Sequence, residues 1–144
     1  LIAPVVLFGL PQFGLCFINN GNFGMTGGQM AWTTMPGQKT ATSPKGRDCA
    51  MTGIPIKVPE LIAYSFTPAY VARGAVTTPA EINRLKGYIK NAIEAQLNGE
   101  GYSMVEVMCS CPTNWNLNPI DAKQRLADEV IPYYSLGEIK KRGE

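Results

Sequence analysis

The stretch Asn19-Asn20-Gly21-Asn22-Phe23-Gly24-Met25-Thr26-Gly27-Gly28-Gln29 gathers carboxamides, a hydroxyl and four-fold recurring glycine into one short run. Backbone amides exposed by Gly-rich turns can cradle a diphosphate. Carboxamide and carbonyl oxygens suit Mg²⁺, a hard ion that takes oxygen ligands and bridges to substrate phosphates. The same residues also make an ordinary turn, because Asn and Gly are the commonest turn formers. A second candidate is Cys109-Ser110-Cys111-Pro112-Thr113-Asn114-Trp115. Two cysteines one residue apart cannot complete a tetrahedral metal site by themselves. One of them can still supply a thiolate to a cluster completed from elsewhere. Cys16 reads as a small core hydrophobe within a strand. Cys49 lies near Arg47, which would favour its thiolate, but a passive thiol is the better reading. Arg73 stands in the otherwise apolar run Ala69–Val76 and needs a partner. A carboxylate inside the fold is favoured there over a substrate carboxylate.

Composition narrows what such residues can do. The chain has 144 residues and no histidine. Ser-His-Asp and Cys-His catalysis and His-ligated zinc are therefore excluded for this chain alone. Any catalysis needs a cofactor or a partner chain to move protons. Thirteen basic residues face eleven acidic ones, and no like-charge run exceeds Lys140-Lys141-Arg142, which argues against nucleic acid as a partner. Four cysteines are too few for a secreted disulfide scaffold, so the compartment reads as reducing and cytoplasmic. The apolar start, Leu1–Leu10, is interrupted by Pro4, lacks a basic leader and is too short to span a bilayer. No membrane partner is expected, and the chain reads as starting inside a longer protein.

These residues need elements to hold them. Phe13–Ile18 reads as a buried parallel strand bounded by Pro11 and by Asn19-Asn20-Gly21. Residues 19–53 form a long Gly-rich irregular stretch, of the kind that carries function. A short helix is expected over Pro59–Ser65 and a second strand over Ala69–Val76. The clearest element is a helix from Pro79 to Asn98. Thr78 and Glu81 make a capping box, Pro79 sits at the first helical position and Gly99 ends it. Ile82, Leu85, Ile89, Ile93 and Leu97 form its apolar face. Ser103–Cys109 is a third strand, and Asn118-Pro119 opens a second helix that Pro132 should stop. Leu126, Val130 and Ile131 share one side of that helix. This alternation predicts an α/β fold on a parallel sheet, with ligands at the carboxyl ends of the strands.

The residues also carry a family resemblance. Asn19-Asn20 through Gly28-Gln29 resembles the second half of the thiamine-diphosphate motif. The longer string from Gly24 to Met30, with Thr33-Thr34, Pro36-Gly37-Gln38-Lys39-Thr40 and Thr42-Ser43-Pro44, is narrower. It resembles the beta, thiamine-diphosphate-binding subunit of 2-oxoacid:ferredoxin oxidoreductases. Ala69-Tyr70-Val71-Ala72-Arg73, Cys111-Pro112-Thr113-Asn114-Trp115 and Ile131–Gly137 match that family in the same order, from about Leu15 to Ile139, while residues 1–12 match poorly.

The resemblance implies roles. Asn20 and a carbonyl at Asn22 would bind the Mg²⁺ of thiamine diphosphate. Gly24, Thr26, Gly27, Gly28 and Gln29 would line the cofactor, with Thr26 a hydrogen-bond donor at the catalytic centre. Met25 would face the reacting carbon and shape substrate fit. Cys111 would be one thiolate ligand of a [4Fe–4S] cluster, and Cys109 strand core. The implied reaction is oxidative decarboxylation of a 2-oxoacid to acyl-CoA, with electrons passing through the cluster to ferredoxin. The implied partners are an alpha subunit, further gamma and delta subunits, ferredoxin, coenzyme A and the 2-oxoacid. The fold implied is the parallel-sheet thiamine-diphosphate-binding fold, of which this chain is expected to be the incomplete, C-terminal half.

The departures limit this. The sequence has no Gly-Asp-Gly, whose Asp is the charged Mg²⁺ ligand, and no Cys-x-x-Cys. It carries about half a cofactor site and one cluster ligand. The alternative is a non-catalytic fold fragment or interaction module that retains the family sequence.

Overall fold

The computed structural model describes residues 14–144, so the poorly matching start, residues 1–12, lies outside the described part. In chain order the elements are β1 (Gly14–Asn19), β2 (Asn22–Phe23), β3 (Gln29–Met30), helices α1 (Cys49–Thr52) and α2 (Val58–Ser65), β4 (Tyr70–Ala75) and α3 (Pro79–Leu97). Then follow β5 (Ser103–Met108), α4 (Pro112–Trp115), α5 (Pro119–Arg125), a π-helical turn (Leu126–Val130), α6 (Ile131–Tyr134) and β6 (Gly137–Lys140). They divide into two compact units. One comprises residues 14–18, Val58–Val107 and Ser135–Glu144; the other comprises Asn19–Lys57 and Met108–Tyr134. No helix among the described residues is long and apolar enough to cross a membrane.

The first unit is built on a mixed, mostly parallel sheet in the order β1-β5-β4-β6. The three expected strands are present. The fourth, β6, was not expected; it runs antiparallel to β4, with Ala72 opposite Glu138 and Arg73 opposite Gly137. β4 and β5 are buried along their whole length. Side chains alternate across the sheet, so Tyr70, Ala72, Val105 and Val107 share one face and pack on Leu85, Ala92 and Ala95 of α3. Val71 and Met104 point to the other face and pack with Ile62 of α2. Burying each such Val or Leu side chain is worth about 1.5–3 kcal/mol. Helix and sheet meet closely at Gly74, where a Cβ would stand 2.8 Å from Leu85 Cδ1.

Helix α3 starts where expected: Thr78 Oγ1 accepts the Glu81 amide at 3.2 Å. The reciprocal half of the capping box is replaced, because the Glu81 carboxylate pairs with Arg84 at 2.6 Å. Thr78→Ala should therefore cost about 1 kcal/mol, the ordinary value of one cap. An unchanged urea midpoint would show that Pro79 alone starts the helix. At the other end Gly99 takes φ +67°, and its amide and that of Glu100 close on Gln96 and Ala95 carbonyls. The apolar face is only partly covered. Leu85 is buried, whereas Ile93 is 54% and Leu97 80% exposed.

Two further expectations change. Among the described residues β1 is an edge strand rather than a buried one; Ile18 is 58% exposed and Cys16 is exposed, not core. An apolar run looks buried in sequence whether or not a neighbour pairs with it. Pro132 does not stop the second helix. Just before it the ladder widens, with the Ile131 amide donating to Leu126 O. That wider turn accommodates the ring that would otherwise press on the preceding carbonyl. Leu126 and Val130 are buried and Ile131 is half-buried.

Candidate functional site

The second unit holds the candidate residues. Asn19, the last residue of β1, is buried and structural: its Oδ1 accepts Gly21 N and Thr33 Oγ1, each at 2.9 Å. Its carbonyl accepts the Cys109 amide at 3.0 Å. Gly21 then turns the chain at φ +73°, and its carbonyl accepts Thr34 Oγ1. The Tyr134 hydroxyl donates to Thr33 O at 2.7 Å. The turn is thus set by groups far away in sequence.

Asn20 is half-buried. Its carbonyl accepts Trp115 Nε1 at 3.1 Å, and its Oδ1 accepts the Asn22 amide at 3.2 Å. A carboxamide oxygen has two lone pairs, so Oδ1 keeps one acceptor site. Asn22 is 8% exposed, and neither its Oδ1 nor its Nδ2 has a hydrogen-bond partner. Leaving a buried amide unpaired costs about 1–3 kcal/mol, and among the described residues no group meets that cost for Asn22. The three carboxamides converge on Gly24. A Cβ there would lie 3.1 Å from Asn114 Nδ2, 3.4 Å from Asn22 Nδ2 and 3.7 Å from Asn20 Nδ2. Only glycine leaves that cradle open.

The rest of the loop is a tight turn closed by Gly27 N to Gly24 O at 3.3 Å and Gly28 N to Phe23 O at 2.9 Å. Those two amides are spent inside the turn. Met25 is 99% exposed at its tip. Thr26 donates to Gln29 Oε1 at 2.6 Å, and Gln29 Nε2 returns to Thr26 O at 2.7 Å. Met25, Thr26 and Gln29 therefore lie on the outside of the turn, while Asn20, Asn22 and Gly24 line its inner side.

Cys111 precedes α4 and is half-buried, with Asn114 Nδ2 3.2 Å from its Sγ. Cys109 lies just past β5 and is half-buried, rather than in strand core. Burial, and secondarily Cys111, push its thiol pKa up, which keeps it a neutral thiol. Among the described residues no three His, Cys, Asp or Glu side chains come together as a metal site. Arg47 does not act on Cys49. It is buried and donates to Trp32 O at 2.9 Å, Thr34 O at 2.6 Å and Gly53 O at 3.0 Å, so it clamps the long loop through carbonyls.

In the first unit Arg73 has carboxylate partners, as expected: Glu106 through Nε and Glu60 at 2.6–2.7 Å. Sequence reading missed Glu106 as the partner of Arg73, and it picked out the stretches holding Asn114, Trp115 and Tyr134 without their contacts to the Asn turn. Glu106 had a signal: it is a lone charge in the apolar run of β5, as Arg73 is in β4. The side chains that reach back to the Asn turn had none, because their contacts span 95 and 101 residues.

No protein-family model matches the chain. It is 38% identical over 131 residues to the ketoisovalerate oxidoreductase subunit VorA of Methanothermobacter thermautotrophicus, covering 91% of this chain and 28% of that protein. It is 37% identical over 111 residues to the 2-oxoglutarate synthase subunit KorB of Archaeoglobus fulgidus, covering 77% of this chain and 37% of KorB. Against the pyruvate synthase subunit PorB of Pyrococcus furiosus it is 32% identical over 106 residues, 74% of this chain and 30% of PorB. In fold it is similar to a 2-oxoglutarate:ferredoxin oxidoreductase from Magnetococcus marinus solved with 2-oxoglutarate, coenzyme A and succinyl-CoA bound. The TM-score is 0.51 at 23% identity, over 83% of this chain and 37% of that one. The chain spans well under half the length of each of these relatives. Over the residues they share, it belongs with the subunits of 2-oxoacid:ferredoxin oxidoreductases.

Proposed function

We propose that this chain forms the cofactor-loop part of a thiamine-diphosphate-binding subunit in a 2-oxoacid:ferredoxin oxidoreductase. The observation that supports it most is Asn22, a buried carboxamide without partners beside Asn20 and Asn114 at the Gly24 opening. Three carboxamide Nδ2 groups around a side-chain-free gap suit the oxygens of a diphosphate, and the oxygens of the same side chains suit the hard cation it carries. Thiamine diphosphate, when bound, supplies the electron sink for decarboxylation of a 2-oxoacid.

The chain's own residues do the holding. Asn20 and Asn22 offer oxygens to Mg²⁺, and the turn from Gly24 through Gly27 and Gly28 to Gln29 lines the cofactor. Thr26 holds that turn through Gln29, and Met25, at its tip, bears on substrate fit. Cys111 offers one thiolate to a [4Fe–4S] cluster, whose other ligands lie outside the described residues. Coenzyme A, ferredoxin, the 2-oxoacid and alpha, gamma and delta subunits are the partners this reading requires.

The test uses the intact complex and two variants. Asn20→Ala should weaken Mg²⁺–thiamine diphosphate binding about tenfold in a calorimetric titration, the value of one hydrogen bond or ligand to a charged group. Cys111→Ser should lose most of its bound iron. Wild-type affinity and iron content in both would instead support the non-catalytic interaction module.

A further inference from the structure

We propose that the cleft between the turn at residues 37–39 and helices α4 and α5 binds a phosphate group of a small ligand, held by Lys39 and Arg125. This site is separate from the Asn-Gly loop and does not depend on the cofactor reading above.

Gln38, Lys39, Asn114, Trp115, Asn116 and Arg125 line the cleft, all within the second unit. Two of them are cations, and among the described residues no carboxylate lines it. Asn20, Asn22 and Gly24 are not among its lining residues, so it is not the opening already described. Both walls are held by the fold itself. Gly37 N donates to Arg47 O at 2.9 Å and Arg47 N to Gln38 O at 3.0 Å, which pins the turn that carries Lys39. Gly46 lets these backbones meet, since a Cβ there would stand 2.6 Å from Gly37 O. On the other wall the Arg125 guanidinium lies over Trp115, 4.9 Å from the ring centroid, and its side chain is 19% exposed. Its Nε donates to Glu129 at 3.0 Å.

The donors left over point to an anion. A guanidinium has five N–H groups. Glu129 takes the one on Nε, and those on Nη1 and Nη2 have no partner among the described residues. Lys39 has no hydrogen-bond or ion-pair partner there either. The open Nη edge is a planar fork that matches two oxygens of a phosphate, and the lysine adds a point charge beside it. The cations line a concave cleft rather than a flat face, which favours a small ligand over an acidic protein surface.

The experiment is a calorimetric titration of the intact complex with inorganic phosphate, comparing wild type, Lys39→Met, Arg125→Met and Lys45→Met. Lys45 is an exposed lysine outside the cleft. The expected result is saturable binding that Lys39→Met and Arg125→Met each weaken about tenfold, the value of one charge-assisted contact. Lys45→Met should leave it unchanged, and added sodium chloride should weaken it. Arg125 also packs on Trp115, so if Arg125→Met does not assemble, Lys39→Met, a change at an exposed side chain, carries the test. Asn20→Ala should retain phosphate binding whatever it does to Mg²⁺–thiamine diphosphate, which keeps failure of this site distinct from failure of the cofactor reading. Absence of saturable binding, or binding that Lys39→Met leaves unchanged, overturns the proposal. Loss of phosphate binding in Asn20→Ala overturns it too, by placing the anion in the Gly24 opening. Tighter binding of a glutamate-rich peptide than of phosphate would overturn it in favour of an acidic protein segment.

Discussion

Arg73→Ala is expected to destabilise the protein by about 3–5 kcal/mol, the cost of breaking a buried ion pair from one side. Arg73 and Glu106 both have fully buried side chains, and Glu60 closes the other edge of the guanidinium from α2. The Ser135 carbonyl accepts a further bond from Nη1 at 3.2 Å. Burial alone would lower the Arg73 pKa, but its hydrogen bonds to the Glu60 and Glu106 carboxylates outweigh it, and the net shift is upward. Removing the cation takes the guanidinium away from the buried Glu106 carboxylate. Glu60→Gln should cost far less, because that side chain is 38% exposed and water can replace the partner. Urea unfolding of the two variants checks the ordering. Equal small losses would mean that the cluster is hydrated and contributes little. The cluster also ties α2, β4, β5 and the approach to β6 together, so the loss should appear as earlier hydrogen exchange in β6.

Asn22→Leu is expected to act in opposite directions on stability and binding. Among the described residues both polar atoms of Asn22 are buried without partners, and replacing such an amide by an apolar group removes a desolvation cost of about 1–3 kcal/mol, which offsets the cost of fitting the larger leucine. Stability without cofactor should therefore rise or stay level. On the proposed reading, binding of Mg²⁺–thiamine diphosphate to the intact complex should fall about a hundredfold, since a carboxamide is gone and a larger apolar side chain faces the Gly24 opening. Thermal unfolding with and without cofactor reads both at once. A variant that is less stable yet binds normally would make Asn22 a structural residue and remove the main support for the cofactor reading.

Much of the first unit was legible because its signals are local. Thr78, Pro79 and Gly99 bound α3 from within a few residues of its ends, and the apolar runs at 70–75 and 103–108 identify strands buried on both faces. β6 was not legible. Gly137-Glu138-Ile139-Lys140 is short and half charged, and it becomes a strand only by pairing with Val71, Ala72 and Arg73. Pro132 misled for a similar reason: a proline forbids an ordinary turn, but not a helix whose ladder has already widened.

In the candidate site, residue types alone pointed to the Asn-Gly turn for oxygen chemistry and to one of Cys109 and Cys111 for sulfur chemistry; the family resemblance chose Cys111. The absence of histidine placed proton handling on a cofactor or partner. These conclusions depend on what each side chain can donate, accept or ligate, which is a property of the sequence. Which carboxamide is left unpaired was decided elsewhere. Asn19 is consumed by Gly21 and Thr33, and Asn20 is half-engaged by Trp115 and its own turn. Asn22 is sealed in with nothing to bond. Three asparagines within four positions received three different fates, because hydrogen-bond satisfaction depends on groups brought from residues 33, 109 and 115. Only the tertiary structure sets those distances.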